Sequence, residues 1–269
     1  MSQVTYRDGV AILQLIFFVA YLGCALLLCM KHGFRRSSGW VILITFSLLR
    51  VIGASFQLAT IHYPSRSVYG GALICDAIGI SPLTVLNLGL LARVNRFVPR
   101  KMNQKLFGIL SIASLVAVSL GIHGGTKVAQ SSNPFKPNSE VKAAVCIFTA
   151  IYVIAVGIFL MLLNQRSTIP GPEMRLLYCF AACAPFVVVR LAYALIADFS
   201  GDKKFNAFSG NTTIYLCMSA LMEIIAVAFC VVTGLTLRKL PAEFAQDQQR
   251  SVEEGKVRQT SHSYPVEQQ

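Results

Sequence analysis

Four charged residues sit in stretches that are otherwise almost wholly apolar: Arg50 in WVILITFSLLRVIGASFQLATI, Asp76 in GGALICDAIGI, Arg190 in PFVVVRLAYALIADF and Glu223 in MSALMEIIAVAFCVV. A charge at the centre of a membrane helix costs roughly 2.5–3.5 kcal/mol on insertion scales, so such residues face the protein interior, take partners and mark functional positions. Two kinds of chemistry follow. A carboxyl group desolvated by apolar neighbours favours its neutral, proton-donating form, which makes Asp76 and Glu223 candidate catalytic acids, with Arg50 and Arg190 placed to orient an oxygenated head group. The alternative is that the two signs pair, and a carboxylate held ionised by an arginine donates no proton.

The faces around these charges are polar or aromatic. Phe46, Arg50, Gly53 and Gln57 recur at steps of three and four, as do Cys179, Cys183, Phe186, Arg190 and Tyr193, so each set lies on one stripe of a helix. Asp76 and Asn87 share a stripe of a third helix that is expected to break near Ser81-Pro82, and Pro185 interrupts another; proline frees backbone groups that neighbours or cavity water must satisfy. The pattern describes a polar pocket open toward the outer half of a membrane. Arg50, Arg190, Asn87, Gln57, Phe46, Phe186 and Tyr193 are its candidate substrate-binding residues, and Tyr21, Tyr152 and Phe229 are further wall candidates whose faces stabilise cations.

The elements that position these residues are legible from composition. The 269 residues are 55% hydrophobic and 13% charged, with a mean hydropathy of +0.60, more apolar than one soluble core requires. Apolar runs of membrane-spanning length recur at about 10–30, 40–61, 70–92, 106–122, 142–163, 175–197 and 213–237, predicting an all-α bundle of seven transmembrane helices over residues 1–240. Residues 241–269 are polar and aperiodic, the composition of a disordered tail. The first run follows Arg7 and Asp8 and lacks a basic leader and cleavage site, so it reads as a retained helix.

Cations collect in alternate loops: Lys31, Arg35 and Arg36; Arg93, Arg96, Arg100, Lys101 and Lys105; Arg166 and Arg175; and Arg238 with Lys239. Such loops are cytoplasmic, which places the N-terminus outside and the tail in the cytoplasm of a multi-pass protein of the endoplasmic reticulum or plasma membrane. The net charge of +12 is therefore expected to meet anionic lipid head groups at the cytoplasmic loops rather than nucleic acid. The partners implied are the bilayer and a hydrophobic small-molecule substrate.

Depth along the helices proposes the pairing. Counted from the expected helix ends at a rise of about 1.5 Å per residue, Arg50 and Glu223 share the midplane, whereas Asp76 and Arg190 share a layer nearer the outer face. Arg50–Glu223 and Asp76–Arg190 are the pairs expected. The eight cysteines and four histidines form no metal-ligand or disulfide framework. Cysteines in apolar helices act first as small adaptable hydrophobes, and no nucleotide-binding or metalloprotease motif is present, so no metal or cofactor is expected. Asn211-Thr212-Thr213 is a glycosylation sequon close against the seventh helix. Phe46-x3-Arg50 echoes Phe186-x3-Arg190, and Phe17-x3-Tyr21 echoes Phe148-x3-Tyr152. This hints at a 3+1+3 internal repeat of the kind found in transporters, with the fourth helix (Ala113, Ala117, Gly121) as a close-packing linker.

The segments FSLLRVIGASFQLA, ISPLTVLNLGLLARVNRF and PFVVVRLAYALIADF resemble the signature spans of fungal seven-helix membrane proteins grouped as a domain of unknown function, over nearly the whole chain before the tail. More loosely, size, span number and paired intramembrane acids are similar to the membrane-bound terpene cyclases of fungal meroterpenoid pathways, including the ascofuranone type. The preferred expectation is therefore a cyclase that protonates a prenylated or epoxidised lipid-soluble substrate. The alternative is a seven-span lipid or metabolite transporter or exporter. A receptor-like protein ranks below both, since Leu91-Ala92-Arg93-Val94-Asn95-Arg96 stands where a receptor carries Asp-Arg-Tyr.

Overall fold

A computed structural model of the chain describes residues 5–32, 38–63, 65–130, 138–200, 203–205 and 210–237. The tail, Arg35, Arg36, Arg238 and Lys239 lie outside the described residues. No strand occurs among those described, and the helices are α1 (Tyr6–His32), α2 (Ser38–Ala59), α3 (Arg66–Ile78), α4 (Ile80–Val94), α5 (Gln104–Gln130), α6 (Ser139–Asn164), α7 (Gly171–Phe199), α8 (Thr212–Tyr215) and α9 (Leu221–Thr236). Helices α3 and α4 abut as one interrupted span, and a π-helical turn, Leu216–Ala220, joins α8 to α9. Counted this way, seven spans are long and apolar enough to cross a membrane. The protein is an all-α, multi-pass membrane protein whose helices contact the lipid bilayer.

Local chemistry sets the helix starts. Thr5 and Asp8 form a capping box at the head of α1: the Asp8 carboxylate accepts from Thr5 N at 2.8 Å and Thr5 Oγ1 at 2.7 Å, satisfying donors that the first turn leaves free. Ser65 accepts from Val68 N at 3.3 Å ahead of α3, and Asn211 accepts from Thr213 N at 2.9 Å ahead of α8. The last carbonyls of α9 are met across the bundle, where Lys31 donates to Leu235 O at 2.9 Å. That bond brings the end of α1 and the end of α9 to one face, the C-terminal end of the bundle; Tyr6 and Thr212 mark the opposite, N-terminal end.

At the C-terminal end, Arg93 donates through Nε and Nη2 to the two oxygens of Glu173 at 2.9 and 2.8 Å, a bidentate clasp between α4 and α7. Asn95 closes the following turn with both atoms of its amide, donating to Met102 O at 3.0 Å and accepting from Met102 N at 2.9 Å.

Helix α5 runs past the expected end at Ile122 to Gln130. The continuation, HGGTKVAQ, holds two glycines that let α5 lie close to its neighbours. A β-carbon at Gly124 would approach Val141 Cγ2 to 2.8 Å, and one at Gly125 would approach Ile74 Cγ1 to 3.1 Å. Their packing offsets the low helix propensity of glycine. The small-residue face proposed from Ala113, Ala117 and Gly121 does pack inward, with Ala117 fully buried and Gly121 in ordinary contact with Ala144.

Gly234 of α9 lies under the ring of Trp40 on α2, and a β-carbon there would come within 2.6 Å of the ring and 3.0 Å of Leu28 Cδ1. Gly157, in the middle of α6, has no atom within 4 Å of the same position. We expect Gly234→Val to lose about 1–3 kcal/mol through overpacking and Gly157→Ala to lose none. Thermal unfolding of the detergent-solubilised chain, followed by cysteine reactivity or circular dichroism, is the check; equal melting temperatures for the two variants would refute the close packing assigned to Gly234.

Candidate functional site

The four intramembrane charges meet in one cluster. Arg50 on α2 donates through Nη1 to Asp76 Oδ1 at 2.9 Å and through Nη2 to Glu223 Oε1. Arg190 on α7 donates through Nε to the same Glu223 oxygen at 2.7 Å, and its Nη2 lies 3.7 Å from Asp76 Oδ1. Each arginine thus faces both acids. The side chains of Arg50, Arg190 and Glu223 are 5%, 2% and 0% exposed and that of Asp76 16%, so the group is neutral overall and almost closed to solvent.

Both expected pairs form, Arg50 with Glu223 and Asp76 with Arg190, but the separation into two depths does not hold, because Arg50 also pairs with Asp76 and Arg190 with Glu223. Two of the helices reach farther out than the apolar runs implied: α3 starts at Arg66 rather than residue 70, and α7 ends at Phe199 rather than 197. Measured from these ends and from Ala59 and Thr212, all four charges lie roughly 14–17 Å below the N-terminal end. They form a single layer, and the reach of two arginines joins them across it.

Two interruptions of helical geometry set this layer. The third span breaks at Gly79, between α3 and α4, just after Asp76 and close to the Ser81-Pro82 break expected from sequence. A β-carbon at Gly79 would collide with the Arg50 guanidinium, so the position has room only for hydrogen. Arg190 Nη2 also donates to the Asp76 carbonyl at 3.3 Å, meeting a backbone acceptor at the break. In the seventh span, Tyr215 and Glu223 would point about 80° apart on an unbroken α-helix, at 100° per residue. The π turn between them absorbs one residue and returns both to one face, where Tyr215 donates to Asp76 Oδ1 at 3.2 Å.

Toward the N-terminal end the cluster floors a pocket lined by Arg7 and Gln14 of α1, Gly53 and Gln57 of α2, Ala72 of α3 and Tyr215. Water centres have about 40 Å³ to occupy there, room for roughly three molecules. Gln57 donates to Asp8 Oδ1 at 3.3 Å, Gln14 to Tyr215 at 3.5 Å, and the Arg7 guanidinium lies 5.8 Å from the Tyr215 ring centre. On the other side an aromatic layer closes the passage. Phe46 packs edge-on to Phe18 at 5.4 Å, and Phe18 to Tyr21 at 5.7 Å, with the Arg50 guanidinium 5.7 Å from the Phe46 ring centre. Tyr21 donates to Ile224 O at 3.1 Å and locks that layer to α9.

Of the residues expected at a site, Arg50, Asp76, Arg190 and Glu223 form the cluster, Gln57 lines the pocket, Phe46 lies beneath it, and buried Tyr193 packs 6.3 Å from Tyr215 with the Arg190 guanidinium over its ring. Four are not brought there, among them the wall candidates Phe229 and Tyr152, the latter stacked on Phe180 at 6.2 Å. Asn87 lies eleven residues along the span from Asp76, roughly 16 Å farther on, where its amide donates to Leu83 O at 2.9 Å within its own helix. Phe186 lies tilted 5.9 Å from Phe229, a residue that is 39% exposed, so it faces the outer seam of α7 and α9. Asn211 is the helix cap already described. All eight cysteines are free thiols.

Sequence reasoning missed Tyr215, Gln14 and Asp8. Arg7 and Asp8 read as a polar head, yet they form the first turn of α1, where Asp8 is 3% exposed. The spacing Thr5-x-x-Asp8 was the available sign, since it is a capping box. For Tyr215 there was no comparable sign, because α-helical periodicity assigns it the wrong face until the π turn is known.

No curated protein and no solved structure matches the chain. A family model described as a domain of unknown function (DUF7702) matches residues 4–240, all seven spans and the cluster between them, and the chain belongs to that family.

Proposed function

We propose that this protein is a membrane transporter in which the four-charge layer is the gate and the pocket above it the entry site for a small solute with a charged or hydrogen-bonding head group. The observation that carries this reading is the coincidence of a broken third span, a π-interrupted seventh span and a neutral charge cluster at one level inside the bundle. Interrupted helices that meet at mid-depth are how transporters expose backbone and side-chain polarity to a substrate. The internal echo supports the same reading: on a 3+1+3 division each half contributes one arginine, Arg50 or Arg190, and one acid, Asp76 or Glu223. Arg7, Gln14, Gln57 and Tyr215 are the head-group contacts, and the aromatic layer of Phe18, Tyr21 and Phe46 is the barrier beneath.

The cyclase reading has less support from this geometry. A proton donor must be neutral, whereas Asp76 and Glu223 both accept charge-assisted hydrogen bonds. The pocket is also lined by Arg7, Gln14, Gln57, Asp76 and Tyr215, a polar wall for a farnesyl chain. In the proposed orientation the C-terminal end, with Lys31, Arg93, Arg96, Arg100, Lys101, Lys105, Arg166 and Arg175, faces the cytoplasm and its anionic lipid head groups.

Gating predicts access from both sides in turn. In a background with the native cysteines replaced by alanine, Ala54→Cys above the cluster should react with a membrane-impermeant thiol reagent from outside. Ser47→Cys, one turn below Arg50, should react from the cytoplasmic side, and Glu223→Gln should change the two rates in opposite directions. Reaction of the first with complete protection of the second from both sides would leave a fixed binding site and overturn transport.

Removing one member of the cluster leaves a buried charge short of partners, a loss of about 3–5 kcal/mol. Glu223→Gln and Arg50→Met should each lower the melting temperature and the yield of folded protein. The double substitution Arg50→Met with Glu223→Gln should lose less than the sum of the two, by about 1 kcal/mol or more. Strict additivity in a double-mutant cycle would show that Arg50 and Glu223 do not depend on one another.

A further inference from the structure

The seam between α7 and α9 carries a second polar cluster on the same faces as the first. The two helices run antiparallel, and Cys183 and Cys230 each stand seven residues from Arg190 and Glu223, so they meet about 10 Å farther toward the C-terminal end. Cys179, one turn along α7, adds a third thiol. All three are buried, and their sulfur atoms lie within 4.8 Å of one another. Cys183 and Cys230 are 3.8 Å apart, and the Cys183 thiol donates to Ala226 O at 3.3 Å.

We propose that Cys179, Cys183 and Cys230 form a binding site for a soft monovalent metal ion, copper(I) or silver(I). Sulfur ligands about 2.3 Å from a metal stand roughly 4.0 Å apart in a trigonal arrangement, and the observed spacings need to contract by less than about 1 Å to reach it. Thiolate and thiol donors without oxygen select soft ions. Charge points the same way. The walls are apolar, with Phe180, Ala226 and Val227 fully buried, and a net charge there is expensive. A monovalent ion that displaces one proton leaves one thiolate and two thiols around it, so the site stays neutral: M⁺ + 3 RSH → M(SR)(HSR)₂ + H⁺. Zinc would require a fourth ligand, and no carboxylate or imidazole joins the three thiols among the described residues. The site stands apart from the gate and does not rest on the transport reading.

The test is competition for copper(I) between the purified full-length chain in detergent, kept reduced with ascorbate, and the chromogenic bathocuproine disulfonate complex. The wild-type chain should take up about one copper per molecule, with an X-ray absorption shell of sulfur near 2.3 Å. Cys183→Ser and Cys179→Ser should each weaken retention by about tenfold or more, on the scale of losing support around a bound metal. Cys146→Ser, which removes an exposed thiol, should leave retention unchanged, and equal melting temperatures of the metal-free variants would exclude misfolding. Failure of the folded wild-type chain to draw copper from the probe, retention unaffected by Cys183→Ser and Cys179→Ser, or preferential uptake of zinc would each overturn the proposal and leave the cysteines as packing groups.

Discussion

One carboxylate oxygen, Glu223 Oε1, accepts from both Arg50 and Arg190, and the interior of the bundle is arranged around that sharing. Buried ions lose water on entering a low-dielectric interior, and attraction between them offsets the loss only where geometry is good and the remaining donors are met. Two arginines around one acid would leave a net positive charge; Asp76 cancels it. Tyr215 supplies Asp76 with a further donor, and Arg190 spends another on a carbonyl at the helix break. The set of four is therefore balanced in charge, although Arg50 Nε and Glu223 Oε2 are buried without a hydrogen-bond partner, and the α3–α4 interruption, the room left at Gly79 and the π turn each bring its members together.

The fold was largely legible because its signal is additive. Each span sums about twenty apolar residues, and no single position can overturn it. The four site residues were legible for the opposite reason: each is an isolated charge in such a span, too costly to be accidental. Their arrangement was not. Pairing by depth multiplies errors in helix ends, and a shift of four residues at the start of α3 moves Asp76 by about 6 Å, enough to assign it to another layer. Arginine side chains are also long enough to bridge helices whose adjacency the sequence does not state.

Non-helical backbone hid the rest. Tyr215 belongs to the cluster only because a π turn re-aims it, whereas Asn87, on the expected stripe of Asp76, stands roughly 16 Å farther along the span. Periodicity arguments assume an unbroken helix, so they fail where a membrane helix is interrupted. Such interruptions occur where the backbone lines a cavity or packs within protein, the places where sites are built. Ser81-Pro82 marked one of the two breaks; the π turn at Leu216–Ala220, in LCMSA, carries no proline and no glycine, and left no compositional trace.

The redundancy of the cluster bears on how such a layer can move. Two isolated ion pairs each break completely when their helices separate, and each would leave two bare charges in the bundle. With four shared charges, Arg50 can part from Asp76 while keeping Glu223, because Arg190 already stands against both acids. The cost of an intermediate arrangement is then one exchanged hydrogen bond, about 1–3 kcal/mol for a charged partner, rather than a stranded ion. Packed interiors switch between discrete arrangements rather than deforming continuously, and under the transport proposal a shared neutral cluster between two interrupted spans is a means of lowering the barrier between two such states.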